Sequence, residues 1–170
     1  SKYIRRDADN WDRCCSGWWD WVFNWWRKEG GQIFIVDKTV GNRLTDIAGN
    51  SYTYNNNITT LTGSDNGITL ISTVRDNFVY DNIIKTNGDA SYGINIQANI
   101  RFNRIYGNII VTNSTNSIGI LLSGSGLDSS DIMNNTIYDN NITTKNATGS
   151  YGIKLLTNVN NNTFFRNTIS

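Results

Sequence analysis

The stretch Asn77-Phe78-Val79-Tyr80-Asp81-Asn82-Ile83-Ile84 decides the fold, because it returns 26 residues later as Asn103-Arg104-Ile105-Tyr106-Gly107-Asn108-Ile109-Ile110. A glycine marks the same period: Gly41, Gly67, Gly93 and Gly119 stand 26 apart, and Gly152 follows after 33. We number each coil from its glycine and allow six inserted residues in the fourth coil. Position 3 is then Leu44, Leu70, Ile96, Leu122 and Leu155, and position 12 is Thr53, Val79, Ile105, Ile137 and Phe164. Position 13 is Tyr54, Tyr80, Tyr106, Tyr138 and Phe165, and position 17 is Ile58, Ile84, Ile110, Ile142 and Ile169. Asparagine fills position 15 as Asn56, Asn82, Asn108, Asn140 and Asn167. It fills position 10, after Ser51, as Asn77, Asn103, Asn135 and Asn162. Self-similarity at one fixed period of this size marks a repeat architecture.

Ile68, Ile94, Ile120 and Ile153 at position 1 lie two residues before position 3. That spacing puts both columns on one face of a strand. Short runs of Ile, Val and Thr alternate with Asn, Gly and Ser turns, the pattern of short strands. No coil carries helical periodicity, which removes the helical repeat families. Residues 41–170 are therefore expected to form an all-β, right-handed, single-stranded parallel β-helix. Its coils begin near Gly41, Gly67, Gly93, Gly119 and Gly152. The hand follows from the strong preference for right-handed parallel crossovers. A recurring Asn has two uses here. It tolerates the left-handed backbone of a turn, and its amide donates to one coil while accepting from the other, which satisfies polar groups that are costly to bury unpaired.

The N-x-I-x-x-N-x-I pattern quoted above resembles the parallel β-helix repeats of NosD-like and carbohydrate-binding or sugar-hydrolase domains. It also resembles the Asn/Thr-rich adhesin-like surface proteins of methanogenic archaea. The resemblance covers roughly residues 41–170. It implies the fold closely and the function loosely, since that repeat serves lyases, hydrolases, epimerases and purely structural proteins alike.

Residues 1–40 read differently, as an N-terminal capping segment. All six Trp lie between Trp11 and Trp26. A helix over 17–29 would gather Asp20, Asn24, Arg27 and Lys28 into a narrow polar stripe. Trp18, Trp19, Trp21, Trp25 and Trp26, with Val22 and Phe23, cover the rest. Ser16 suits the N-cap and Gly30-Gly31 the C-terminal stop, and a strand over 32–36 leads into the first coil. An open solenoid end needs a cap, so the helix is expected to lie on the first coil. Docking on another subunit or lying in a membrane interface are the other uses of so broad an apolar face.

Composition narrows the function. Net charge is +1 with no block of like charge, which argues against a nucleic-acid partner. There is no histidine, the commonest general base and metal ligand. Cys14 and Cys15 are adjacent and cannot staple the fold to itself. They read as reduced thiols or as an intermolecular bridge in an oxidising compartment. No stretch reaches the roughly 18 apolar residues of a membrane span, and residues 1–30 make a poor signal peptide. Sequons at Asn57, Asn113, Asn134, Asn141, Asn146 and Asn161 favour an outside location weakly, because an Asn/Thr-rich chain produces them by chance.

Candidate chemistry is thin. Asp81 and Asp139 share position 14 two coils apart, at about 10 Å from the strand spacing, just past the roughly 6.5–9.5 Å of an inverting glycosidase pair. Arg75 and Arg101 share position 8. The insertion around Ser123–Asp131 offers Asp128 and Asp131, too few ligands for calcium. No catalytic residue, metal ligand or cofactor is assigned. The position-13 aromatics should point outward as a stripe that either stacks for stability or holds sugar rings or a partner. The expected function is a non-enzymatic extracellular or cell-surface structural solenoid, adhesin-like and able to self-associate through its ends. The alternative is a carbohydrate-active enzyme or sugar-binding module of the pectate-lyase-like fold, with a polysaccharide or cell-wall glycan as partner.

Overall fold

The computed structural model describes residues 42–45, 52–61, 63–71, 74–125, 132–145 and 148–170. The expected helix over 17–29, the strand over 32–36, the six Trp, both Cys, Asp128 and Asp131 lie outside the described residues.

The nineteen described strands, β1 to β19 in chain order, form four parallel walls. The first wall stacks β1 (Asn42–Thr45), β4 (Ile68–Ile71), β8 (Tyr92–Gln97), β12 (Ile118–Ser123) and β16 (Tyr151–Leu155). The second stacks β5 (Val74–Arg75), β9 (Ile100–Arg101), β13 (Ile132–Met133) and β17 (Val159–Asn160). The third stacks β2 (Tyr52–Tyr54), β6 (Phe78–Tyr80), β10 (Arg104–Tyr106), β14 (Thr136–Tyr138) and β18 (Thr163–Phe165). The fourth stacks β3 (Asn57–Thr60), β7 (Ile83–Thr86), β11 (Ile109–Thr112), β15 (Asn141–Thr144) and β19 (Thr168–Ile169). The described residues thus form an all-β parallel solenoid of about four turns.

Register follows the repeat residue by residue. Leu44 pairs with Leu70, Leu70 with Ile96, Ile96 with Leu122 and Leu122 with Leu155. A slip of one residue would turn each wall's aliphatic column out to solvent, so burial fixes the register. Leu70, Ile96 and Leu122 share one interior with Val79, Ile105 and Ile137 from the third wall and Ile84, Ile110 and Ile142 from the fourth, all fully buried. The insertion leaves this stack intact: β9 still pairs with β13 and β10 with β14.

The glycine column has a steric cause. A Cβ on Gly67, Gly93 or Gly119 would run into the Cγ2 of Ile84, Ile110 or Ile142, and into the carbonyl oxygen of the next glycine in the column. The fourth wall's isoleucines press against the corner where the first wall begins, and only glycine leaves room there.

Candidate functional site

Two turns per coil set the geometry of the conserved-looking columns within the chain. At position 14, Asn55, Asp81, Gly107, Asp139 and Arg166 all have φ between 50 and 63°. At position 9, Asp76, Phe102, Asn134 and Asn161 have φ between 51 and 58°. The ladder asparagines follow directly at positions 15 and 10 and do not have positive φ. This corrects one expectation: the left-handed residue is the one before each ladder Asn, and the ladder Asn is chosen for its amide alone.

That amide works as expected. Asn56 Nδ2 donates to Asn82 Oδ1 at 2.8 Å, Asn82 to Asn108 at 2.9 Å, Asn108 to Asn140 at 2.9 Å and Asn140 to Asn167 at 3.0 Å. The second ladder runs Asn77 to Asn103 at 3.1 Å, then to Asn135 and to Asn162 at 2.9 Å each. From Asn82 and Asn103 onward each Oδ1 also accepts the backbone N–H of the preceding ladder residue, as Asn108 Oδ1 does from Asn82 at 3.1 Å, whereas Asn56 Oδ1 is buried without a partner. The amide nitrogens reach carbonyl oxygens of their own and the preceding coil; Asn82 Nδ2 bonds Tyr80 O and Thr53 O. Asn56, Asn77, Asn82, Asn103, Asn108, Asn135 and Asn140 are buried, so these bonds replace water that is no longer there. The amide-to-amide bonds have one direction: Nδ2 donates toward the C-terminal coil and Oδ1 accepts from the N-terminal one.

The aromatic stripe lies where the sequence places it, on the outer face of the third wall. Successive rings stack almost parallel: Tyr54 on Tyr80 at 4.8 Å, Tyr80 on Tyr106 at 5.0 Å, Tyr106 on Tyr138 at 4.9 Å and Tyr138 on Phe165 at 4.8 Å. These separations match the coil spacing. Ring faces therefore meet ring faces, and what the stripe turns outward is edges and hydroxyls. Burial raises the Tyr80 and Tyr106 phenols above their ordinary value, and the neighbouring phenols and the Asp81 carboxylate add to it. A second column two residues away was not foreseen. Tyr52 stacks on Phe78 at 4.8 Å, and the Arg104 guanidinium lies over Phe78 at 5.5 Å. The period-two rule would have found it, since positions 11 and 13 share a face.

Among the described residues, Asp81 and Asp139 stand two layers apart in one column. Asp81 stands beside Gly107, with Asp139 a further layer on. Asp139 is engaged by Arg166, which donates from Nε and Nη2 at 2.7 Å each. Those bonds hold the Asp139 carboxyl below the usual carboxylate range. Asp139 and Arg166 both occupy position 14, so opposite charges in one column were a readable signal. Arg75 and Arg101 are register partners on β5 and β9, as expected. Asp89 accepts hydrogen bonds from Ser114 and from Thr115, which lower its pKa. Among the described residues no three His, Cys, Asp or Glu side chains gather as a metal site, and no helix is long and apolar enough to cross a membrane.

The ladder asparagines and the stacked rings thus bond or pack against their copies in the next coil. No protein-family model, no curated protein and no solved structure matches the chain.

Proposed function

We propose that this protein is a non-enzymatic structural solenoid of the extracellular or cell-surface kind, adhesin-like, right-handed, and of the NosD-like parallel β-helix class. The observation that carries the reading is the aromatic stripe. Its ring faces are stacked on each other from Tyr54 to Phe165, so a sugar ring finds no free face along its length. With both Asn ladders also directed along the axis, the repeat supports a stiff rod better than it supports a binding groove. The right hand rests on the crossover preference.

Self-association through the ends belongs to the same reading. The outer edge of the last layer carries half-buried Ile153, Val159 and Phe164 and exposed Leu155 and Ile169. Any further coil set there in register would bury the same columns and extend both ladders, and where a second copy supplies it the contact is heterologous and propagates along the axis.

The sugar-binding module is the rival class. Binding and turnover on a panel of polysaccharides separate the two. The structural reading expects no turnover, and binding unchanged when Tyr80 and Tyr106 are replaced by Ser while the melting temperature falls. Turnover, or glycan binding abolished by that double replacement in a folded protein, would overturn it.

A further inference from the structure

Of the repeated columns, position 13 carries a side chain that gives up an electron readily, the phenol of Tyr54, Tyr80, Tyr106 and Tyr138. These four are Cα partners in succession along β2, β6, β10 and β14. Neighbouring ring planes differ by 7°, 3° and 9°, and ring centres stand 4.8, 5.0 and 4.9 Å apart. Nearly parallel rings on in-register strands set like atoms against like atoms. The carbon ortho to each hydroxyl therefore lies about one strand spacing from the same carbon of the next ring. All four residues are half-buried, with their hydroxyl edges turned outward. The other described tyrosines have no such neighbour. Tyr52 stacks on Phe78 and stands two residues along its strand from Tyr54, about 7 Å away. Tyr92 and Tyr151 share a column with Ile118 between them.

We propose that this column is a site of oxidative cross-linking. A one-electron oxidant, such as a haem peroxidase acting with hydrogen peroxide, joins neighbouring phenols into dityrosine and staples one coil to the next. Each of two adjacent rings loses one electron and its phenolic proton. The two phenoxyl radicals form a carbon–carbon bond through their ortho carbons, and each ring's ortho proton then moves to its oxygen and restores the phenol. In sum, two phenols and one hydrogen peroxide give one biphenol and two waters.

A bond between ring edges holds the two centres only slightly closer than the stack does, so it asks the rings to tilt while the coils keep their spacing. Joining Tyr80 to Tyr106 closes a loop across 26 residues, which constrains the unfolded chain as a disulfide does. Four phenols in a row admit one such link or two. The site stands on the ring geometry alone and does not depend on where the solenoid is displayed.

The test treats the full chain with a haem peroxidase and hydrogen peroxide. Dityrosine emission, excited beyond the tryptophan absorption, should appear in protein that still runs as a monomer on a reducing, denaturing gel. Trypsin cuts after Arg43, Arg75, Lys85, Arg104 and Lys145, so Tyr54, Tyr80 and the pair Tyr106 and Tyr138 fall on three separate peptides. Mass spectrometry should find the Tyr80 peptide joined to that of Tyr54 or of Tyr106, two hydrogens lighter than their sum. Tyr80→Phe should leave only the internal link between Tyr106 and Tyr138. Tyr80→Phe with Tyr106→Phe keeps the stack of rings and should abolish the emission. Links formed chiefly between copies, links centred on Tyr92 or Tyr151, or undiminished emission from the double variant would overturn the proposal. So would an absence of emission under conditions that couple free tyrosine.

Discussion

Asn108 Nδ2 donates to Asn140 Oδ1 at 2.9 Å although the two are 32 residues apart, while Asn82 reaches Asn108 at the same distance across 26. The ladder does not register the six extra residues of that interval. Coil stacking therefore depends on the columns and tolerates changes between them.

The middle of a ladder should be its most sensitive point. Asn108→Ala removes the acceptor for Asn82 Nδ2 and N–H and the donors to Asn140 and to Val79 O. Each buried group left unpaired costs about 1–3 kcal/mol, so the expected loss is about 3 kcal/mol or more in urea unfolding. Asn167→Ala, at a half-buried position, should cost about 1 kcal/mol. Equal small losses at both sites would contradict the ladder account.

The corner glycines should resist enlargement. The Cβ of Gly93→Ala would meet Ile110 Cγ2 and come within 2.6 Å of the Gly119 carbonyl oxygen, whereas at Gly63 the nearest atom stands 3.6 Å away. Overpacking of this kind costs about 1–3 kcal/mol. Gly93→Ala should lower the thermal midpoint by several degrees and Gly63→Ala should leave it nearly unchanged.

Phe102 occupies the left-handed region at φ 58° with half of its surface exposed. An L-residue with a bulky side chain is strained there by about 1–2 kcal/mol. Its column otherwise uses Asp76, Asn134 and Asn161. Phe102→Asn should raise stability by about 1 kcal/mol, read as a higher urea midpoint with an unchanged slope; a lower midpoint would assign Phe102 a contact that outweighs the strain.

Alkaline pH should weaken the solenoid. Tyr80 and Tyr106 have raised pKa values in the folded state, through burial first and neighbouring phenols second. Their contribution is fully present below the unfolded tyrosine value of about 10 and is lost as pH rises through the folded values. Unfolding midpoints should fall above pH about 10. The Tyr80→Phe, Tyr106→Phe double variant keeps the stack, removes both ionisations and should fall less. An identical pH profile for the two proteins would contradict the assignment.

Much of this was legible in the 26-residue period, because one period fixes register, interior and ladder together. Leu70, Ile96 and Leu122 could be paired by counting alone, and so could the stripe from Tyr54 to Phe165. The turn chemistry was not legible. Phe102 and Arg166 break the Asp/Asn/Gly composition of the left-handed columns, so those columns do not show in the residue types, and the adjacent Asn drew the attribution. Ring orientation was not legible either: outward placement of Tyr80 follows from alternation, but that its faces are consumed by Tyr54 and Tyr106 depends on side-chain torsions. The burial of Asn95 and Leu121 was not legible either, since a strand pattern states which side a residue faces and not what lies there.

Methyl-to-methyl NOEs among Leu70, Ile96 and Leu122, in a protein labelled at Leu and Ile methyls, test the central claim most directly. Stacked coils predict contacts from Leu70 to Ile96 and from Ile96 to Leu122, along with contacts to Ile84 and Ile110 from the facing wall. Absence of the first two contacts in a folded sample would mean that the coils do not stack, and the account would fail with them.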